Sequence, residues 1–306
     1  MCIDRYRRFG FLNLKKSSLM LHLTALSLLL VASSYISKPR LSTVRAFTFK
    51  MASFGGTDAV VSGNIYLLDT YKYKLEAKVV SITPLAPADT KGIKHGTHKV
   101  CTDQTIFHPQ GGGQPSDQGV LKAEESTFTV NFAAKNEHGD VEHYGVFTND
   151  PWSSENLSIT MEIDEAKRLL HARIHSAGHA LDSAMVRCSF SEKVKPSKGY
   201  HFIDGPYVEY QETAELTEAE LKDMVPLLNK ALADIVRENI PTRTRIETTA
   251  SEEKDTKSFN RVVEVANLDC PCGGTHVAGT AELGVITVTK AKKKKGVLKV
   301  SYTMSP

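Results

Sequence analysis

Cysteine is scarce in this 306-residue chain, which holds only Cys2, Cys101, Cys188, Cys270 and Cys272. An odd number at irregular spacing excludes a disulfide framework and fits a reducing compartment with thiolate chemistry. Long apolar runs are missing as well: Leu19–Ala32, LMLHLTALSLLLVA, falls short of the roughly 20 residues that span a bilayer. Charge of one sign does not dominate. The formal net charge is +3, but residues 1–50 carry nine Lys or Arg against the single acid Asp4, leaving 29 basic and 34 acidic residues, a net of −5, in the rest. An overall positive field is therefore excluded, and any polyanionic partner must be met by a local basic patch. No internal repeat is visible. Strands and helices do not alternate as βαβ units, which sets aside repeat arrays and doubly wound sheets.

What is present begins with an address label. The basic stretch RYRRFGFLNLKK precedes the apolar run, and small residues in SSYIS follow it, the layout of a secretory-type signal. A second stretch, SKPRLSTVRAFTFK, is basic, rich in hydroxyls and free of acids. Together they resemble two-part plastid presequences. Residues 1–50 are expected to be a targeting presequence outside the fold, with no stable membrane association after its removal. Plastid, mitochondrion and, by translation from Met51, cytoplasm remain as destinations.

From about residue 57 to 158 the pattern is β. The runs NIYLLDT, KLEAKVVSITPL, HKVCTDQTIF, TFTVNFAAK and EHYGVFTN are rich in β-branched and aromatic residues, and turn formers separate them. Short strands at this spacing predict a small barrel. Residues 159–306 read as α+β. Asp164 caps a helix whose apolar residues recur at helical spacing through Met185, and Thr217 with Glu220 forms a capping box for a second helix, in which Pro226 marks a kink or boundary. GYHFIDGPYVEYQE reads as two strands about a turn. PTRTRIETT, FNRVVEVAN and the pair GVITVTKAKKKKGVLKVSYT are again strand-like.

The chemistry concentrates in two short stretches. His175 and His179 stand four apart on the first helix, so both imidazoles share one face, and His171 extends the stripe by a turn. In DCPCGGTHVAGT, Cys272 and His276 are also four apart, and the glycines between them let the chain fold tightly enough for both to meet one cation. Zinc takes Cys and His in tetrahedral sets, so His175, His179, Cys272 and His276 form a coherent quartet. His171 and Cys270 are rival ligands. Four protein ligands close a zinc site, so the pattern by itself favours a structural ion over a catalytic one.

HSAGH and CGGTH, preceded by FHPQGGGQPSDQG (residues 107–119), resemble the editing domain of alanyl-tRNA synthetases and its freestanding relatives, the AlaX proteins. KGYHFIDGPYVEY and TAELGVITVTKAKKKKGVLKVSY are similar to the longer freestanding forms, which carry an N-terminal translation-factor-like barrel. The resemblance runs from about residue 64 to 303. It implies a zinc-containing hydrolase that cleaves a wrong amino acid, serine or else glycine, from tRNA for alanine, with His175, His179, Cys272 and His276 as ligands. It leaves no length for an aminoacylation core, so the chain is expected to edit and not to charge. On that reading the loop Gly111, Gly112, Gly113 and Gln114 approaches the substrate from the barrel, Gln114 offering both donor and acceptor, and the Thr275 hydroxyl helps to sense a serine side chain. Lys290, Lys292, Lys293, Lys294 and Lys295 form a basic hairpin tip for tRNA phosphates, with Arg168, Arg173 and Arg187 as further candidates. A noncatalytic tRNA-binding module built around a structural zinc is the alternative.

Overall fold

The computed structural model describes residues 63–89, 92–123, 126–153, 156–248 and 259–305, all within one compact unit. The presequence expected over residues 1–50 lies outside them. Six antiparallel strands come first: β1 (Lys74–Pro84), β2 (His98–Thr102), β3 (Gly119–Ala123), β4 (Ser126–Lys135), β5 (Val141–Phe147) and β6 (Ser158–Ile163). They close into a barrel in the order β1-β2-β5-β4-β3-β6. Alternate residues point inward: Ala77 and Val79, Phe128 and Val130, and Ile159, Met161 and Ile163 belong to one buried cluster. The last of these carries the barrel on to residue 163. Closure removes the free edges that an open sheet of this size would expose.

Two of these strands were not read from the sequence. β3 has five residues and opens on a glycine, too short a run for its alternation to stand out. β6 alternates cleanly but lies against the helix start. Conversely, NIYLLDT is no strand; Ile65–Leu67 is a 3-10 turn whose Tyr66 and Leu67 plug the barrel core.

The second half begins with α1 (Glu165–Arg187), opened by Asp164, whose carboxylate accepts the Lys167 N–H at 3.0 Å. β7 (Val194–Tyr200) and β8 (Tyr207–Glu212) follow. α2 (Glu218–Glu238) starts from the expected capping box: the Thr217 hydroxyl accepts the Glu220 N–H at 3.2 Å, and the Glu220 carboxylate accepts the Thr217 N–H at 2.8 Å. Pro226 sits inside α2 and does not end it. Met224, Leu228, Leu232 and Ile235, three or four apart, are fully buried; each contributes about 1.5–3 kcal/mol in hydrophobic transfer, which fastens this face. β9 (Arg243–Thr248), β10 (Phe259–Val265) and β11 (Leu268–Pro271) form one sheet in the order β11-β10-β9. β12 (Ile286–Lys294) and β13 (Val297–Met304) complete another, β12-β13-β8-β7. Its inner residues Val208, Tyr210, Val288, Leu298, Val300 and Tyr302 share one core with both helices. Helices gather on one side of antiparallel sheets, which is the α+β arrangement. Among the described residues no helix is long and apolar enough to cross a membrane.

Polar clamps join the barrel to this second half. Arg168 of α1, fully buried, donates from Nε to the Asp117 carboxylate at 3.0 and 3.1 Å and from Nη1 to the Thr70 carbonyl at 3.0 Å. Asp117 also accepts the His108 N–H at 2.6 Å. The His201 N–H, just after β7, donates to the Gly113 carbonyl at 2.8 Å.

Candidate metal centre

α1 presents His175 and His179 one turn apart toward the stretch that leaves β11. There the chain bends back through Gly273 and Gly274, and Cys272 and His276 face the helix. Their four ligand atoms all lie within 4.8 Å of one another. The Cys272 thiol is 3.6 Å from His175 Nε2 and 3.3 Å from His276 Nε2. Bonds of about 2.0 Å to nitrogen and 2.3 Å to sulfur make the edges of a zinc tetrahedron roughly 3.3–3.7 Å long, so these spacings fit an ion at the centre. A glycine is required at 274: a Cβ there would come within 2.2 Å of the His175 ring.

The ring nitrogens are sorted. Gln114 Oε1 accepts the backbone N–H of Thr275 at 3.0 Å, which fixes it as the oxygen, and it lies 2.7 Å from His175 Nδ1. His175 must therefore carry its proton on Nδ1 and keep the Nε2 lone pair free for the centre. His276 Nδ1 lies 3.1 Å from the Ser176 hydroxyl, which turns its Nε2 toward the centre. His179 Nε2 is buried and has no hydrogen-bond partner. A buried imidazole nitrogen left bare is costly, and a cation would satisfy it. Burial pushes the His179 ring down to about 4 and holds His175 and His276 well below the usual imidazole range, so all three are neutral donors at pH 7. The residues present thus fit zinc in number, element and protonation.

Beneath the loop lies the buried Arg261. It donates to the Leu67 carbonyl at 2.8 Å and to the Gly274 carbonyl at 3.0 Å, with a further bond to the Cys272 carbonyl at 2.5 Å. This cation holds the Cys–His turn in shape from below and offsets the negative charge of a thiolate above it. His201 completes the surroundings. Its ring stacks on His175 at 4.6 Å between centroids, and its Nδ1 lies 3.0 Å from the Tyr302 hydroxyl. Burial lowers its pKa to about 3. Arg261, Ser176 and His201 escaped the sequence reading: Ser176 meets His276 100 positions on, His201 lies on another element 26 positions beyond His175, and Arg261 acts through carbonyls that leave no trace in side-chain spacing.

The remaining expectations meet mixed outcomes. Neither rival ligand joins the quartet: Cys270 lies on β11 with its thiol 3.6 Å from the Pro271 carbonyl, and His171 is one turn too far along α1. The glycine loop does reach the centre from the barrel. Gly112 and Gly113, at φ of +58° and +82°, make a tight turn in which Gly111 and Gln114 exchange backbone hydrogen bonds at 2.9 and 3.2 Å. Gln114 and Thr275, however, do not face an open pocket. Both are fully buried, and Gln114 Nε2 donates to the Thr275 hydroxyl at 2.8 Å. With both Gln114 Oε1 contacts already made, to His175 Nδ1 and the Thr275 N–H, the pair braces the Cys–His loop.

The basic tip is also rearranged. Only Lys295, at φ +50°, sits in the turn; Lys290, Lys292, Lys293 and Lys294 are strand residues of β12. Alternation turns Lys293 the other way, where it pairs with Glu212 at 2.9 Å. The three arginines of α1 are engaged elsewhere: Arg168 with Asp117, Arg173 with the Leu283 and Ser305 carbonyls at 3.2 and 3.1 Å, and Arg187 with Glu238 at 2.7 Å.

Comparison with known proteins agrees with the motifs. A family model described as class II (A) tRNA synthetases matches residues 56–167. The alanyl-tRNA editing protein AlaX-L of Pyrococcus horikoshii is 26% identical over 251 residues, covering 78% of this chain and 57% of that protein. Alanine–tRNA ligases are similar too: that of Methanobrevibacter smithii is 25% identical over 250 residues, 78% of this chain and 26% of the ligase. That of Halobacterium salinarum is 27% identical over 266 residues, 81% of this chain and 27% of the ligase. The chain thus spans a little over half of AlaX-L and about a quarter of the ligases. The chain is similar to an AlaX-type alanyl-tRNA editing protein and to alanine–tRNA ligases, the proteins that its HSAGH, CGGTH and GGGQ motifs resemble.

Proposed function

We propose that this protein is a trans-editing hydrolase that removes a wrong amino acid, serine first and glycine as the alternative, from mischarged tRNA for alanine, with zinc at the cluster. The observation that carries the reading is the convergence of His175, His179, Cys272 and His276, from elements nearly a hundred residues apart, into one set of donors within 4.8 Å. Bound there, zinc would supply Lewis-acid polarisation of an ester carbonyl or of a water. An aminoacyl ester is already activated, so little more is asked of the protein than placement.

This chain's residues do the placing. Gln114 holds the proton of His175 on Nδ1, and Ser176 engages Nδ1 of His276, so both rings aim Nε2 inward. Such outer contacts fix tautomer and orientation. Arg261 carries positive charge under the Cys272 turn. Thr275 is buried against Gln114, whose Nε2 donates to its hydroxyl, and the preference for serine is taken from the resemblance. The four-donor set also favours the second reading, a tRNA-binding module with a structural ion, because four protein ligands leave no open position.

One experiment separates them. Purified protein lacking residues 1–50 is given Ser-tRNA(Ala), Gly-tRNA(Ala) and Ala-tRNA(Ala), with and without chelator. Zinc-dependent release of serine ahead of alanine supports editing. Binding of tRNA with no release of any amino acid, together with unfolding on chelation, supports the module. For the presequence, the mass of the mature chain from its native host distinguishes cleavage near residue 50 from translation beginning at Met51.

A further inference from the structure

The four-stranded sheet buries one face under the helices and leaves the other open. Along β12 the open face carries Lys290, Lys292 and Lys294, all exposed, and Lys292 stands directly opposite Lys299 of β13. Like charges paired across strands destabilise a sheet, and Lys292, through a side-chain hydrogen bond and then through its charge, pushes the pKa of Lys290 down. Glu209 lies between Lys198 and Lys299 in the register and neutralises only part of this row.

Beside the lysines runs a ladder of half-exposed rings. Tyr207 of β8 stacks on Tyr200 of β7 at 5.1 Å and 14°, and Tyr200 stacks on Phe202 at 4.6 Å and 21°. Lys299 Nζ lies 3.3 Å from the Tyr207 ring centroid. The Tyr200 hydroxyl donates to Asp204 at 3.1 Å. β7 is the sheet's edge strand. Between Tyr200 and Phe202 the chain turns His201 the opposite way, onto the metal-ligand candidate His175. One tripeptide therefore shows rings to solvent and an imidazole to the cluster. A basic row beside stacked, accessible rings is what unpaired nucleotides require: phosphates meet cations, and bases of any identity find a flat partner.

We propose that this face binds the unpaired 3′-terminal nucleotides of an acyl-tRNA, bases stacking on Phe202, Tyr200 and Tyr207 and phosphates following Lys292 and Lys299, so that the ester-bearing end rounds the β7 edge to the cluster. The identity of the RNA as an acyl-tRNA rests on the function proposed above. The surface itself is read from the rings and the lysines.

The test measures binding of deacylated tRNA(Ala), intact or trimmed of its unpaired 3′ nucleotides, by fluorescence anisotropy. The parent protein is expected to favour the intact RNA by about tenfold. Tyr207→Ala and Phe202→Ala, each with an unchanged circular dichroism spectrum, erase that preference, and Tyr207→Phe, which keeps the ring, restores it. Lys292→Ala lowers the salt slope for the intact RNA by about 0.7, the value for one phosphate on a single strand. If the folded alanine variants bind both RNAs as the parent does, or the parent does not tell the two apart, the rings merely brace a hairpin and the proposal fails. If the parent deacylates nothing and the variants still lose the preference, the surface stands and the editing function falls. If the parent deacylates and the variants bind unchanged, only the surface falls.

Discussion

Two groups of buried histidines occupy the two halves of the molecule. In the barrel, His143 has both nitrogens committed: Nε2 is 2.8 Å from the Thr105 hydroxyl, and Nδ1 is 2.9 Å from the Val100 carbonyl. In the α+β half, His175 and His276 engage Nδ1 with Gln114 and Ser176 and turn Nε2 to the Cys272 sulfur, and His179 Nε2 has no hydrogen-bond partner. Burial lowers the pKa of His143 and of His179 alike, each to about 4. Burial and depressed basicity therefore do not single out a metal ligand. Convergence does: His171 Nδ1 is as bare as His179 Nε2, but only the latter lies among other donors where one cation could satisfy it.

The sharpest consequence concerns Cys272, whose thiol faces the Nε2 atoms of His175 and His276. Cys272→Ala is expected to abolish zinc binding and with it at least 99% of deacylation, as losing one of four ligands does to a closed site. Metal content by mass spectrometry and the rate on Ser-tRNA(Ala) are the readouts. A folded, zinc-free variant that still deacylates at the parent rate would remove the cluster from the chemistry.

Next in size is the control on the other group. His143→Phe keeps a flat ring but removes the partner of the Thr105 hydroxyl, which keeps only the Phe107 N–H, and the ring N–H that the Val100 carbonyl accepts, at about 1–3 kcal/mol each. Urea unfolding at pH 7 should show a loss on the order of 2–4 kcal/mol, with zinc content the same as the parent. The pH dependence carries a sign. Folded His143 takes a proton only near pH 4, whereas its ordinary value is 6.5, so the unfolded chain is protonated first as the pH falls. Its contribution is complete above about 6.5 and is lost on going down toward 4. The variant should therefore lose less stability than the parent between pH 7 and pH 5. Equal losses would show that His143 does not titrate as its burial dictates.

Gln114 tests whether a barrel residue governs the ligands. Gln114→Ala removes the acceptor for His175 Nδ1 and for the Thr275 N–H together. Outer contacts of this kind are worth about 10–100-fold in metal affinity. Competition with a chelator should reveal such a drop while the thermal midpoint of the zinc-loaded protein moves far less. Unchanged affinity would make the Gln114 contact incidental.

How much of this was legible beforehand follows from the range of each interaction. α1 and α2 were readable from Asp164, Thr217 and Glu220, since a cap acts within three residues. The quartet was readable because a four-residue spacing places two ligands on one helical face and two across one tight turn. The Gln114–His175–Thr275 brace was not, as it spans 61 and 161 positions; Gln114 was taken for a substrate contact because the approach of its loop to the site was apparent and the burial of its side chain was not. Arg168 and Lys293 were misjudged for a related reason. A charge in sequence looks free until its partner, Asp117 or Glu212, is brought up by the fold.

The smallest effect lies on the other side of the same rings. Ser176 engages His276 Nδ1 at 3.1 Å and accepts the Val277 N–H at 3.2 Å. Ser176→Ala removes one oxygen that serves both. A neutral hydrogen bond contributes about 1 kcal/mol net, and the His276 ring stays packed against His175 and His179 at 4.6 and 5.1 Å. Zinc affinity should therefore fall only about 3–10-fold, less than for Gln114→Ala, because packing holds the ring where the hydroxyl no longer does. A loss as large as that of Gln114→Ala would mean that both outer contacts matter equally and that stacking does not orient the His276 ring.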